Sequence, residues 1–424
     1  MMRSENNKIR NICMLSTHGY FDPVPELGKT DTGGQVLYVL QLARSLAQFG
    51  INVDIYTRWF DHLKKQIDPI PDCPNVRVIR IPAGGWEFIP KESIYDVLPE
   101  LAQNMIKFIQ EQNIEYDLFH GHYVDAGIVA LKVAKAFFKP AFFTAHSLGA
   151  WKKQRASGDP KEMDRVFNFS LRIDEELRIF QSVNAQTVTS KEEQDKIEEL
   201  YHFHPPRIEF IPPGVDVHKF RPLEDGDKEE KTEIVLPGRY IFVVSRMSKA
   251  KGHDLLLPAY MQVLKEFPDI PLVIGGGSDR PDKEETDVLL NMKRFIEKNR
   301  IKKNVHIVGV IPHDDLPPYY RQARLFILPA RYEPFGMTAL EAMACQVPAV
   351  ISRSAGIQEN LVSDKDCLLI DPLETQKYAE AISLLLKDKI LAKRLAKQGS
   401  ETVRNTFSWE AIARKFISFY ERFI

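Results

Sequence analysis

The sequence has little of several features that mark whole classes of protein. Its four cysteines, Cys13, Cys73, Cys345 and Cys367, form no CxxC pair and no disulfide-like spacing, which predicts free thiols in a reducing compartment. Lysine and arginine number 57 against 58 acidic residues, so the overall charge favours neither a nucleic-acid nor a lipid surface. No run approaches the roughly 18 apolar residues of a membrane span, and the opening residues MMRSENNKIRN lack an apolar signal core. Together these absences predict a cytoplasmic protein.

Phosphate-loop motifs are also missing. No GxxxxGK[ST] string occurs, and Gly33 and Gly34 do not belong to a GxGxxG string. Dehydrogenase-type dinucleotide binding and P-loop chemistry therefore lose support. Two Asp-x-Asp strings, Asp225-Gly226-Asp227 and Asp364-Lys365-Asp366, fall in charged or polar turns. We interpret both as solvated loops, so no metal site is predicted.

What the sequence does contain is a regular alternation of short β-rich runs with helix-period segments over 424 residues. This alternation indicates βαβ units and parallel sheets covered on both faces, and the length predicts two domains of about 200 residues each. The pattern breaks between Arg221 and Arg239, where we predict a linker. Strands are predicted at the runs RNICMLS, NVDIYTR, VRVIRIP, YDLFHGH, AFFTAHS, AQTVTS, RIEFIPP, YIFVVSR, PLVIGGG, NVHIVGV, RLFILPA, PAVISRS and CLLID.

Polar motifs follow several of these strands, at the sheet edge where ligands of such folds bind. Gly33 and Gly34 open a helix at Gln35, which leaves free amides for an anion. Arg246 ends a second-half strand, and Lys251 follows five residues later. Because an arginine fork and a lysine point charge both bind phosphate oxygens, this pair is a candidate diphosphate site.

The stretch LPARYEPFGMTALEAMA places two carboxylates, Glu333 and Glu341, on either side of a helix start near Gly336 and Met337. The amides and positive dipole end of such a helix favour a phosphate. The carboxylates can accept hydrogen bonds from hydroxyl groups on both sides of that phosphate, which is the layout of a nucleotide-sugar. The alternative is an ordinary capped helix with a solvated acid at Glu341.

The strings SRMSKAKG and EPFGMTALE resemble the Arg-x4-Lys and Glu-x7-Glu elements of retaining GT-B glycosyltransferases of family four. The first half is similar to the sucrose-phosphate synthase branch through DTGGQ, GGWEFIPKE, GHYVDAG and AHSLGAWK. The resemblance implies two Rossmann-like parallel-sheet α/β domains facing a central cleft. Residues 1–222 with a returning C-terminal helix, 408–424, would bind the acceptor, and residues 235–407 would bind the donor.

The resemblance also implies roles for individual residues. Arg246 and Lys251 would neutralise the leaving diphosphate, Glu333 and His146 would contact the transferred hexose, and Glu341 would bind the ribose. The donor would further contact Gly33, Gly34, Phe335, Gly336, Met337 and Thr338. Fructose 6-phosphate, the acceptor implied, would lie among Gln35, Lys91, Tyr123, Lys152 and Arg172. Each of these basic residues is alternatively an ordinary surface cation.

The implied reaction moves a hexose from a nucleotide-sugar, with UDP-glucose favoured, to fructose 6-phosphate, giving sucrose 6-phosphate. It needs no metal or other cofactor, and its partners are small molecules, with no nucleic acid and no membrane. Where many relatives have Gly-Gly-Pro, this chain reads SRSAGIQENL, a departure that bears on the donor. A mannosylfructose-phosphate synthase using GDP-mannose therefore stays open, as do a nucleotide-sugar 2-epimerase and a non-catalytic two-lobe sugar-binding protein.

Overall fold

The computed structural model describes residues 8–24, 31, 33–155, 159–227, 238–278 and 281–424. The middle of the predicted linker, 228–237, lies outside the described residues, as do residues 1–7 of the opening segment and Thr32 of DTGGQ. The chain divides into unit 1, Met1–Gly214 with Trp409–Ile424, and unit 2, Val215–Ser408.

Unit 1 contains an eight-stranded sheet in the order β3-β4-β2-β1-β5-β6-β7-β8, in which every pair is parallel except β3 with β4. Its strands are β1 Asn11–Leu15, β2 Asn52–Trp59, β3 Ile67–Ile70, β4 Cys73–Pro82, β5 Leu118–His122, β6 Ala141–Thr144, β7 Ala185–Val188 and β8 Ile208–Phe210. Its helices before the crossing to unit 2 are α1 Gly34–Ala47, α2 Leu98–Glu111, α3 Val124–Phe137, α4 Gly149–Arg155, α5 Pro160–Phe167, α6 Phe169–Ser182 and α7 Lys191–Tyr201.

Unit 2 contains a six-stranded parallel sheet in the order β11-β10-β9-β12-β13-β14. Its strands are β9 Tyr240–Val244, β10 Leu272–Gly275, β11 Val305–Gly309, β12 Ala323–Leu328, β13 Ala349–Ser352 and β14 Leu368–Ile370. Its helices are α8 His253–Glu266, α9 Lys283–Lys298, α10 Leu316–Gln322, α11 Met337–Ala344, α12 Thr375–Lys387 and α13 Lys389–Phe407. The central strands β9 and β10 are buried along their whole length, because helices cover both faces of a parallel sheet.

The last helix, α14 Trp409–Glu421, belongs to unit 1. Its residues Ile412, Phe416, Phe419 and Tyr420 are buried in the same apolar cluster as residues of β1, β2 and α1. Phe416 lies four residues after Ile412, and Phe419 and Tyr420 lie three and four residues after Phe416, which puts all four on one face of the helix. Helix α14 therefore packs into a core whose other residues come from the first 214 residues of the chain.

The boundary predicted after residue 222 is wrong, because residues 215–222 belong to unit 2. The Val215 amide donates to the Phe407 carbonyl at 2.8 Å, and Phe220 is buried in the unit 2 core. The alternation of strands and helices is confirmed, and each of the thirteen predicted runs contains a strand.

Candidate active site

The carboxyl edge of the unit 2 sheet brings together two of the predicted residues. Lys251 lies in a turn after β9 and is buried, and its Nζ donates to Glu333 Oε2 at 2.6 Å. Arg246, two residues after the end of β9, is exposed and has no ion pair with any described residue. One cation is thus fixed by a carboxylate while the other keeps an unpaired charge.

The turn that carries Glu333 leads directly into α11. Gly336 precedes this helix with φ +117°, a backbone region that side chains with a Cβ rarely adopt. The amides of Met337 and Thr338 lie in the first turn and have no intrahelical carbonyl. Since no acidic residue lies in that turn, the positive end of the helix is not neutralised from within and can accept a phosphate.

The loop after β13, which contains the string SRSAGIQENL, packs on this turn. The Glu333 amide donates to the Ser354 carbonyl at 3.3 Å, and the Gly356 amide donates to the Glu333 carbonyl at 3.0 Å. A Cβ on Gly356 would lie 2.2 Å from the Pro334 carbonyl oxygen. Ala355, which stands where many relatives have a glycine of Gly-Gly-Pro, is buried. The residues on either side of Ala355 therefore hold the Glu333 turn through backbone hydrogen bonds.

Glu341 is buried, which contradicts the alternative of a solvated acid. Its Oε2 accepts from the Tyr320 hydroxyl at 2.7 Å, and its Oε1 lies 2.9 Å from His313 Nε2. Burial and then the charge of Glu341 raise the pKa of Tyr320 well above its usual value. Lys219 Nζ lies 3.0 Å from His313 Nδ1. Because an ammonium only donates, Nδ1 accepts, and we assign the ring proton to Nε2, which then donates to Glu341.

In unit 1, Gln35 ties the start of α1 to the carboxyl ends of two strands. Its Nε2 donates to Ser16 Oγ at 3.2 Å and to the His122 carbonyl at 3.1 Å. Gly33 and Gly34 are exposed, and apart from their chain neighbours no atom of the described residues lies within 4 Å of a Cβ built on either. Within the described part of the chain nothing covers this helix start, and like that of α11 it has no acid in its first turn.

His146 follows β6 with φ 59° and packs edge-on against Tyr38. Its Nε2 lies 3.0 Å from His122 Nδ1. Burial, followed by the charge of His18, lowers the pKa of His146 to about 3, so the ring is neutral near pH 7. His122 Nε2 is buried without a described partner. Since an orphaned donor is rarer than an orphaned acceptor, we assign the His122 proton to Nδ1, which leaves His146 Nδ1–H able to donate.

Three of the predicted acceptor residues, Lys91, Lys152 and Arg172, form a cationic cluster. Arg172 is buried; its Nε donates to Glu176 at 2.8 Å, and its guanidinium carbon lies 4.6 Å from the centre of the Tyr123 ring. Lys152 lies over the Phe167 ring, and the next residue, Asn168, donates to the Glu92 carbonyl beside Lys91 at 3.2 Å. Burial, then the positive charges of Arg172 and Lys91, lower the pKa of Lys152.

The charges of this cluster are paired unequally. Lys91 forms ion pairs with Asp31 and, at 3.2 Å, with Glu92. Lys152 is exposed and has no carboxylate partner among the described residues; its Nζ lies 5.3 Å from the centre of the Phe167 ring. Lys152 therefore supplies the charge most available to a phosphorylated ligand.

Sequence reasoning missed several polar residues at these edges. His313 and Tyr320 hold Glu341, and His18 Nδ1 lies 3.0 Å from both Asp125 oxygens. His18 and His313 each follow a strand by a few residues, so the rule that sites lie beyond strand ends could have found them. Tyr320 lies inside α10 and gave no such signal.

The two Asp-x-Asp strings have structural roles. Asp227 pairs with Arg221 at 2.6 Å and accepts from the Glu224 amide at 2.7 Å. Asp366 is buried and accepts from Thr402 at 2.7 Å, so its interpretation as a solvated loop residue is wrong. Among the described residues no helix combines the length and the apolar character that crossing a membrane requires.

With this geometry established, two family models match the chain. Residues 32–219 match Glycosyltransferase Family 4, and residues 225–402 match Glycosyl transferases group 1. The chain is 35% identical over 423 residues to the mannosylfructose-phosphate synthase of Agrobacterium fabrum, covering 99% of this chain and 92% of that protein. It is 30% identical over 415 residues to the D-inositol 3-phosphate glycosyltransferase of Corynebacterium urealyticum, covering 96% of this chain and 95% of that protein.

A solved structure agrees. The sucrose-phosphate synthase of Thermosynechococcus elongatus superposes with a TM-score of 0.73 at 29% identity, covering 97% of this chain and 98% of that one. The similarity therefore extends over both units.

Proposed function

The chain belongs to the group 1 glycosyltransferases of glycosyltransferase family 4, and we propose that it transfers mannose from GDP-mannose to fructose 6-phosphate with retention. The glycosyltransferase class and the GT-B fold of two parallel-sheet α/β domains, both predicted from the sequence, are confirmed. The substrates are our proposal. Cytoplasmic location stays a prediction, supported by four free cysteines.

The reaction is supported chiefly by one observation, the buried Lys251 held by Glu333 beside the start of α11. In the proposed reaction the bond from the hexose C1 to the diphosphate oxygen breaks. A bond from C1 to an acceptor oxygen forms on the same face, and the acceptor proton passes to the departing phosphate oxygen. Negative charge grows on that diphosphate, and Lys251, Arg246 and the α11 amides are prearranged to stabilise it.

The remaining donor contacts follow the order of ribose, phosphates and hexose in a nucleotide-sugar. Glu341 would accept hydrogen bonds from the ribose hydroxyls, exchanging part of its contact with His313. Glu333 and the backbone from Phe335 to Thr338 would contact the hexose and the phosphates. His146 would donate from Nδ1 to a hexose hydroxyl, and Gly33 and Gly34 would allow close approach of the phosphates.

The acceptor phosphate would lie in the cationic cluster of Lys91, Lys152 and Arg172. Lys152 would bind it most directly, since its charge has no carboxylate partner among the described residues. Tyr123 stacks on Arg172 and Gln35 anchors α1, so both would shape the pocket for the fructose ring.

The donor is proposed from similarity. The mannosylfructose-phosphate synthase is the relative that matches at 35% over nearly the whole chain, whereas the sucrose-phosphate synthase structure matches at 29%. The UDP-glucose reaction favoured from the sequence is therefore the second candidate. A 2-epimerase or a non-catalytic sugar-binding protein would form no glycoside.

Purified full-length protein tests the proposal directly. It is incubated with fructose 6-phosphate and, separately, GDP-mannose, UDP-glucose or ADP-glucose, and nucleoside diphosphate release is followed. We expect GDP release that requires the acceptor and survives metal chelation. Release only from UDP-glucose would identify the second candidate, and equal release with unphosphorylated fructose would remove the phosphate role of the cluster. Inositol 3-phosphate serves as the comparison acceptor, because a relative is named for it.

A further inference from the structure

We propose that Arg331 is a positioning residue that fixes the distance between Lys251 and Glu333 by fastening together the two loops that carry them. This inference rests on the proposed function, since it assigns those two residues to the donor site. Arg331 lies two residues before Glu333, and its partner Asp254 lies three residues after Lys251.

The guanidinium group of Arg331 makes three hydrogen bonds to the Lys251 loop and to the first turn of α8, which follows that loop. Its Nη1 and Nη2 donate to the two carboxylate oxygens of Asp254 at 2.6 Å and 2.7 Å. Nη1 also donates to the Lys249 carbonyl at 3.1 Å. This fork therefore contacts a side chain in the first turn of α8 and a backbone atom of the Lys251 loop at the same time.

Two further bonds hold the same turn. The Tyr332 amide donates to the Ala250 carbonyl at 3.1 Å, and the Lys249 amide donates to Glu284 Oε1 at 3.0 Å. The backbone from Lys249 to Ala250 is thus fixed on both sides. Lys251 follows directly, so its position depends on these contacts.

The exposure of the pair distinguishes a positional role from a role in stability. The side chains of Arg331 and Asp254 are 35% and 61% exposed. Exposed ion pairs contribute little to the free energy of unfolding, so removing this one should leave the fold intact. Its geometric effect is larger, because a shift of about 1 Å in a reacting group can lower turnover by about 100-fold.

Lysine cannot replace this arginine. A lysine ammonium is a single point charge, and it does not reproduce the planar fork that binds both Asp254 oxygens while reaching the Lys249 carbonyl. The contacts of Arg331 with Asp254 and the Lys249 carbonyl are called the clamp below. An Arg331→Lys variant keeps the positive charge and loses the clamp. An Asp254→Asn variant keeps the shape of the partner side chain and loses its negative charge.

The test compares Arg331→Ala, Arg331→Lys and Asp254→Asn with Lys377→Ala, which removes an exposed ion pair with Glu374 elsewhere in unit 2. We measure kcat and KM by nucleoside diphosphate release, the melting temperature, and hydrogen exchange of peptides that cover residues 246–254 and 329–335. We expect the three clamp variants to lower kcat by about 10- to 100-fold, with an unchanged KM for the acceptor and faster exchange in both peptides. Lys377→Ala should match the wild type in every measurement.

The outcomes separate this inference from the proposed function. If the wild type releases no nucleoside diphosphate with any substrate pair, the proposed function fails, and hydrogen exchange alone then decides whether the clamp exists. Wild-type kcat in Arg331→Lys and Arg331→Ala, with unchanged exchange in both peptides, would overturn the inference. A lowered kcat with equally raised exchange throughout unit 2 would also overturn it, because that result indicates general loosening.

Discussion

Lys251 and Glu333 lie 82 positions apart in the chain, yet their charged atoms are 2.6 Å apart. An ammonium group has three donors, of which Glu333 takes one. The remaining two can bind phosphate oxygens without breaking the existing pair. Glu333 also prevents the buried ammonium from being an uncompensated charge before the donor binds.

Replacing Lys251 tests this arrangement. Lys251→Ala should lower kcat by about 100- to 1,000-fold, as removal of one preorganised stabilising group does in other enzymes, while circular dichroism shows an intact fold. The control is Lys298→Ala, which removes an exposed cation from α9. A nearly normal rate for Lys251→Ala would remove this residue from the site.

Replacing Glu341 by Gln should raise the KM for the donor by about tenfold or more, because a hydrogen bond to a charged group contributes about 1.5–3 kcal/mol. The Tyr320 hydroxyl and His313 Nε2 both point at the carboxylate, and the new amide group places a donor against one of them. The melting temperature should therefore fall as well. Glu374→Gln, at an exposed position, is the matched control; an unchanged KM in Glu341→Gln would argue against ribose binding.

Single site residues could be predicted from the sequence where they closely follow a predicted strand. Arg246, Lys251 and Glu333 follow buried strands, and the carboxyl ends of parallel strands meet at one edge. Tyr320 as a partner of Glu341 and Asp254 as the partner of Arg331 were not predictable. Tyr320 is 21 positions from Glu341 and Asp254 is 77 positions from Arg331, and only the packing of the helices selects them.

At the scale of elements, β3 is a strand that the pattern of β-rich runs did not predict. β3, with the sequence IDPI, is short and contains Pro69. Proline lacks the amide that a sheet ladder needs and is confined to edges and bulges, and the register of β3 shifts between Pro69 and Ile70. Tertiary pairing with β4 forms this strand, since its own sequence predicts none.

The loop after β13 provides a prediction at this scale. Gly356→Ala should lower activity with the donor, because the new Cβ would lie 2.2 Å from the Pro334 carbonyl oxygen and displace the Glu333 turn. Ser354→Ala in the same loop keeps the backbone bond to Glu333 and should have wild-type kinetics. Normal activity in Gly356→Ala would show that the turn can move without consequence.

At the scale of the whole molecule, unit 1 should be sensitive to acid. Burial is the main cause that lowers the pKa values of His120 and His146 from 6.5 to about 3. These histidines stay neutral in the folded state, while the unfolded state binds protons below pH 6.5. Their contribution to the free energy of unfolding is therefore complete above pH 6.5 and is lost as the pH falls toward 3.

Intrinsic fluorescence can follow this change in unit 1 alone, because all four tryptophans, Trp59, Trp86, Trp151 and Trp409, belong to it. The urea concentration at the midpoint of unfolding should be lower at pH 5 than at pH 7. His120→Asn should flatten that dependence even if it lowers the midpoint itself, whereas His204→Asn, at an exposed histidine, should leave the slope as in the wild type. A urea midpoint of the wild type that does not change with pH would contradict the conclusion that His120 and His146 stay neutral in the folded state.

The place of α14 has a consequence for how the protein is made. A ribosome completes residues 1–408 before it reaches the segment that supplies Phe416, Phe419 and Tyr420 to the core of unit 1. The nascent chain therefore carries an uncovered apolar face on unit 1 while unit 2 is being made, and a truncated chain that ended before residue 409 would have a finished unit 2 and an aggregation-prone unit 1.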